Sequence, residues 1–194
     1  CNWDELVLVL SIESLFNEDN SNLEYFGCNS IDGVEVEDQG TGGSAISHWE
    51  SRILLGEYMT SVTYEDEMVI SDFTLALLED SGWFKPNYFS GGLLRFGKNK
   101  GCEFLNSQCI DYQYTRNSLF EDEFFSYSME WYPTCTTGRQ SRAYNIFSHY
   151  QYLDKEYLTK IIPYDYYNGF FIGGAISSAD YCPVSVEDYN TEGK

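Results

Sequence analysis

The chain has 194 residues, 43% of them hydrophobic, and carries 31 Asp and Glu against 11 Lys and Arg, a formal net charge of -20. That much apolar content can bury a core of one domain or slightly more, which excludes a disordered tail. The negative charge repels phosphate backbones and anionic membrane surfaces, so nucleic acid is excluded as a natural partner.

In chain order, Leu6 to Leu10 (LVLVL) reads as a buried strand. It is too short to span a bilayer and has no basic flank, so neither a membrane anchor nor a signal peptide is visible. Ser21 to Phe26, after the cap residue Asn20, reads as a short helix. From Gly33 the alternation of Val34 and Val36 predicts a brief extended segment. GTGGSA, Gly40 to Ala45, follows as a permissive loop.

The strongest element is SDFTLALLEDSGW, Ser71 to Trp83. Ser71 suits the N-cap and Asp72 the positive end of the helix dipole. Phe73, Leu75, Ala76 and Leu78 recur on one face, and Gly82 can end the helix in a left-handed conformation. Glu79 and Asp80 then read as solvated charges at the helix end. From Lys85 onward, aromatic segments alternating with Gly, Asn and Pro predict short strands and irregular loops. A composition shift near Gly101 divides the chain into 1–100 and 101–194, and four of the six cysteines lie in the second part.

Those cysteines, at positions 1, 28, 102, 109, 135 and 182, have neither CxxC spacing nor nearby histidines. Disulfides explain them better than zinc does, which implies an oxidising, extracellular or surface setting. Six cysteines allow fifteen pairings, and their spacing does not choose among them. The acidic runs Glu65 to Glu67 and Glu121 to Glu123 lack calcium-loop spacing and read as solvated faces. The aromatic run Tyr164 to Phe171 suits either core or contact surface.

Only two histidines are present, and a single histidine is more often structural than a ligand. His48, however, lies in an ordered set of motifs: YFGCNSIDGVEVEDQGTGGSAISHWESR, then EYMT, ISDFTLALLEDSGWF and FGKNKGCEF, and finally CTTGR and ADYCPVSVED. Together these resemble the leishmanolysin family of zinc metallopeptidases, in the metzincin clan. The resemblance covers most of Leu23 to Asp188.

The resemblance implies an α+β fold: the C-terminal subdomain of a metzincin catalytic domain, with the helix over 71–82, followed by a disulfide-stapled, loop-rich region with short strands. It implies that His48 is the third zinc ligand and that Met59 belongs to the Met-turn, an apolar floor beneath the metal. Extended, the chain between them would reach about 35 Å, so it must fold back, and Gly56 suits that reversal. The resemblance further implies the disulfides Cys28 to Cys102 and Cys109 to Cys182, with Cys1 and Cys135 finding partners outside the chain.

In this family an HExxH motif supplies two more imidazoles and the glutamate base that acts on zinc-bound water. No HExxH occurs here, so no residue of this chain is assigned as catalytic. His149 in FSHYQY reads as structural, and Glu50 as a structural contact beside the ligand. The implied function is the C-terminal portion of a zinc metalloendopeptidase. Its HExxH half, the N-terminal part of the same peptidase, would be the first partner, and protein or peptide substrates or surface partners would come next. The alternative is a non-catalytic leishmanolysin-fold protein acting as an extracellular scaffold or binding module.

Overall fold

A computed structural model describes residues 9–10, 23–30, 33–38, 45–61, 68–111, 117–118, 120–145, 147–149 and 172–187. The chain forms two compact units that divide between Ser107 and Gln108. Helices concentrate in the first and short antiparallel strands in the second, the segregation expected of an α+β chain. No helix among the described residues is long and apolar enough to cross a membrane.

The first unit opens with β1 (Val9–Leu10) paired antiparallel to β2 (Val34–Glu35), with Leu10 opposite Val34. Its helices are α1 (Leu23–Phe26), α2 (Ser51–Leu54), α3 (Asp72–Asp80) and α4 (Cys102–Asn106). Short helices get little stability from propensity and depend on packing. Here Phe26, Phe73, Phe96 and Phe104 are all buried, and neighbouring ring centroids lie 5.7 to 6.2 Å apart. The disulfide between Cys28 and Cys102 fixes the start of α4 beside the end of α1.

Helix α3 starts one residue after Ser71, buries Phe73, Thr74, Leu75 and Ala76, and leaves Glu79 and Asp80 exposed. Its end has the expected form: the Gly82 N–H donates to the Glu79 carbonyl at 2.9 Å, and φ at Gly82 is 71°. Its start does not. Ser71 occupies the cap position, but its hydroxyl makes no bond to the helix backbone and donates instead to the buried carboxylate of Glu57.

Between Lys85 and Ser107 the expected strands are absent among the described residues. A 3-10 turn spans Tyr88–Ser90 and α4 closes the segment. Leu94 and Phe96 are buried on either side of exposed Arg95, a strand-like alternation that finds no ladder partner.

In the second unit β3 (Ile110–Asp111) pairs with β4 (Asn117–Ser118) and β7 (Ser148–His149) with β8 (Ile172–Gly173). A three-stranded antiparallel sheet runs β5 (Pro133–Cys135), β6 (Arg142–Asn145), β9 (Ser185–Glu187), with Ala143 opposite both Thr134 and Glu187. Phe124, Phe125, Phe147, Ala143 and Val184 are buried in this unit, and Cys109 bonds Cys182.

Candidate functional site

The segment Ile46–Glu50 is stitched to β2 and its extension. Ile46 N–H donates to Glu37 at 2.8 Å, Glu37 N–H to His48 at 2.9 Å and Glu50 N–H to Glu35 at 3.1 Å. Successive side chains in such a segment point to opposite faces. Trp49 is fully buried and its indole donates to Thr74 Oγ1 at 2.9 Å, while His48 is half-buried. The His48 ring shares a 3.0 Å hydrogen bond with the Ser47 hydroxyl through Nδ1.

The reversal between His48 and Met59 is built from α2 and two consecutive turns. Glu50 caps α2, its carboxylate accepting the Arg52 N–H at 2.8 Å, and it is buried, a structural contact as expected beside His48. Leu55 (φ -56°, ψ 132°) and Gly56 (φ 87°) then form a type II turn closed by Glu57 N–H to Leu54 at 3.0 Å. Such a turn demands a left-handed residue at its third position, which is where the glycine stands. A second turn follows, with Thr60 N–H and its hydroxyl both donating to the Glu57 carbonyl, at 3.3 and 2.8 Å. The result is that Trp49 N–H donates to the Met59 carbonyl at 2.9 Å, and Trp49 and Thr60 form a parallel bridge. His48 and Met59 therefore stand on adjacent backbone segments.

Two buried charged side chains hold this arrangement, and the sequence reading assigned neither. The Glu57 carboxylate is fully buried. Its Oε1 accepts from Ser71 N–H and Ser71 Oγ, both at 3.0 Å, and from Thr74 Oγ1 at 2.5 Å; its Oε2 accepts from Met59 N–H. It thus meets the positive end of α3, where an anion is stabilised. Arg52 reaches α4. One guanidinium nitrogen donates to Phe104 and Ser107 carbonyls at 3.1 and 3.4 Å, and the other donates to Leu105 at 2.8 Å, satisfying carbonyls at the helix's C-terminal end. The second nitrogen also lies 3.5 Å from Glu35. Burial pushes the Glu35 carboxyl above its ordinary value; Arg52 opposes that shift and Asp38 adds to it.

Also unforeseen is a trio of carboxylates, Glu37, Asp38 and Glu50, with ligand oxygens all within 4.8 Å of one another. Glu37 accepts from Ser61 Oγ at 2.7 Å, and Glu50 serves as the α2 cap. Glu37 and Asp38 are adjacent but Glu50 lies twelve residues further on, so spacing gave no signal. Of the other sequence candidates, Cys28, Cys102, Cys109 and Cys182 form the two disulfides named above, the pairs implied by the resemblance. Cys135 is an exposed free thiol on β5, and His149 lies in β7 opposite Ile172. Cys1, most of the GTGGSA loop, the run Glu65 to Glu67 and the run Tyr164 to Phe171 lie outside the described residues.

Comparison with known proteins places these features in a wider context. The family model described as leishmanolysin matches residues 14–193. A leishmanolysin-like peptidase of Drosophila melanogaster is 39% identical over 175 residues, covering 84% of this chain and 25% of the relative. A leishmanolysin-like peptidase of Caenorhabditis elegans is 36% identical over 175 residues, covering 84% and 26%. The leishmanolysin of Leishmania donovani is 30% identical over 165 residues, again covering 84% and 26%. The chain spans about a quarter of the length of these curated relatives.

Proposed function

We propose a function from one premise: this chain belongs to the leishmanolysin family of metallopeptidases. On that premise it is the C-terminal portion of a zinc metalloendopeptidase whose HExxH segment lies outside these 194 residues. His48 is the third zinc ligand and Met59 the Met-turn methionine. The observation that supports the reading is the Trp49 N–H to Met59 carbonyl bond, which sets the histidine segment against the turn that carries Met59.

The donor chemistry fits in part. A catalytic zinc site takes three protein ligands, usually nitrogen donors, and this chain offers one half-buried imidazole. Metal-binding imidazoles ordinarily carry a partner on their second nitrogen, the position that Ser47 occupies at Nδ1. The Glu37, Asp38 and Glu50 trio is all oxygen and suits zinc poorly. Zinc, when bound, supplies Lewis acidity toward water and a peptide carbonyl. What this chain's residues contribute is placement: Ser47 hydrogen-bonds the ring, and the turn at Leu54–Thr60 brings the backbone of Met59 against the histidine segment. Its two disulfides suit an extracellular or cell-surface setting, with proteins or peptides as substrates.

A second reading draws on the absence of HExxH from the sequence: a non-catalytic scaffold on the same fold. Substituting His48→Ala in the complete protein separates the two. The peptidase reading expects proteolysis to be abolished and zinc content to fall, and unchanged turnover would sink it. The scaffold reading expects native protein free of zinc and copurifying with a stoichiometric partner.

A further inference from the structure

We propose that Glu57 is a positioning residue for the zinc site, its carboxylate fixing Met59 directly and His48 through Thr74 and Trp49. The inference rests on the metallopeptidase reading above and extends it to a residue that touches neither metal nor substrate. The Glu57 side chain is fully buried, and its partners are four donors: Met59 N–H, Ser71 N–H, Ser71 Oγ and Thr74 Oγ1. No cation is among them. A buried carboxylate satisfied only by oriented donors has one geometry in which all are met, so the groups that meet it are held in register.

The donors come from two parts of the site, the turn and the start of α3. Met59 N–H fixes the methionine to the turn. Ser71 and Thr74 open helix α3, so the turn is pinned to the most regular element of the unit. Thr74 Oγ1 also accepts the indole N–H of Trp49, the residue after His48, and Trp49 N–H in turn donates to the Met59 carbonyl. The connections close a ring: Glu57 to Thr74, Thr74 to Trp49, Trp49 to Met59, and Met59 back to Glu57. A glutamine at position 57 retains one acceptor oxygen for the helix side but sets an NH2 against Met59 N–H, opening the ring at the methionine while keeping the side chain's size.

The test uses the complete protein carrying its HExxH segment, with zinc affinity measured by chelator competition and the visible spectrum of the cobalt(II)-loaded form as a signature of ligand geometry. Glu57→Gln is expected to weaken zinc binding about 10- to 100-fold, the range found for outer-shell partners, and to shift the cobalt bands. Leu75→Ala, a buried apolar truncation on α3, controls for general destabilisation: it lowers the thermal midpoint and leaves zinc affinity and the cobalt bands at wild-type values. Wild-type affinity and spectrum in Glu57→Gln overturn the inference. Should that variant fail to fold, Thr74→Val is expected to weaken zinc binding and Thr74→Ser to restore it; equal affinity in the two likewise overturns it. A wild-type protein that binds no zinc would instead overturn the metallopeptidase reading itself.

Discussion

The two units close disulfide loops of nearly equal span, 74 and 73 residues, yet fill their interiors differently. Among the described residues the first buries four charged side chains, Glu37, Glu50, Arg52 and Glu57, whereas the buried polar residues described in the second are neutral: Ser126, Thr136, Asn145 and Ser178. Buried charge is costly unless every partner is met, and it stabilises less than well-packed apolar groups of the same size. A unit that keeps four such groups gains geometric definition and little net stability. The second unit, with sheet register, the Phe125 and Phe147 ring contact at 4.9 Å and neutral hydrogen bonds, is held as ordinary loop-rich structure is.

The sharpest way to break this comparison is to remove each staple in turn. Loops of this span contribute about 4 kcal/mol in the chain-entropy model, so Cys28→Ser with Cys102→Ser, and Cys109→Ser with Cys182→Ser, should cost similar stability in denaturant unfolding. Their local consequences should differ. Amides of Trp49, Glu57 and Leu75 keep their hydrogen-exchange protection when the first staple is cut, because the ring through Glu57 persists. Amides of Asn145 and the β6 strand lose theirs when the second is cut. Equal loss in both units would mean that the buried charges add no independent definition.

A smaller effect probes the charges directly. Arg52→Met keeps much of the side chain's bulk but leaves Glu35 without its cation and the Phe104, Leu105 and Ser107 carbonyls without donors. Breaking one side of such an arrangement costs about 3 kcal/mol. Asn145→Leu, which removes the bonds to Met129 and Ser185 in the second unit, should cost about half as much, since only neutral bonds are lost. Thermal or denaturant unfolding of both variants checks the ratio, and a reversed order would contradict the contrast drawn between the units.

What the sequence revealed follows the same division. Helix α3 was legible because its apolar period, its first-turn Asp72 and its terminating Gly82 are local signals. The Gly56 reversal was legible because a turn with a left-handed position leaves a glycine behind. Ser71 stands at the N-cap as read, but its hydroxyl donates to a buried carboxylate and does not accept a helix N–H, which no local signal could foretell. Glu57 and Arg52 were invisible because their meaning lies in partners 14 to 17 and 52 to 55 residues away. Nothing in EYMT or ESRILL distinguishes a buried charge from a solvated one, and solvated is the more common case. The short strands expected from Lys85 onward begin, among the described residues, only at Ile110, for a related reason: alternation at Leu94 and Phe96 specifies an extended segment but not a partner to pair with it.

The smallest expected effect concerns protonation of Glu35, at the outer end of the Arg52 interaction. Burial raises its folded pKa above the ordinary value of 4.5, more than Arg52 lowers it. A raised pKa in an acid means that the folded state holds the proton more tightly than the unfolded chain. The contribution of Glu35 to stability is therefore present below pH 4.5 and is lost as pH rises through the folded pKa. Glu35→Gln cannot ionise, so the stability of the wild type relative to this variant should decline as pH rises from 4.5 toward neutrality. The slope is diagnostic and the absolute difference is not, because the substitution also removes the Arg52 partner. Denaturant unfolding at a series of pH values measures it. A slope of opposite sign would mean that the attraction of Arg52 outweighs desolvation, making Arg52 and Glu35 a stabilising pair and weakening the claim that the first unit's charges serve definition more than stability.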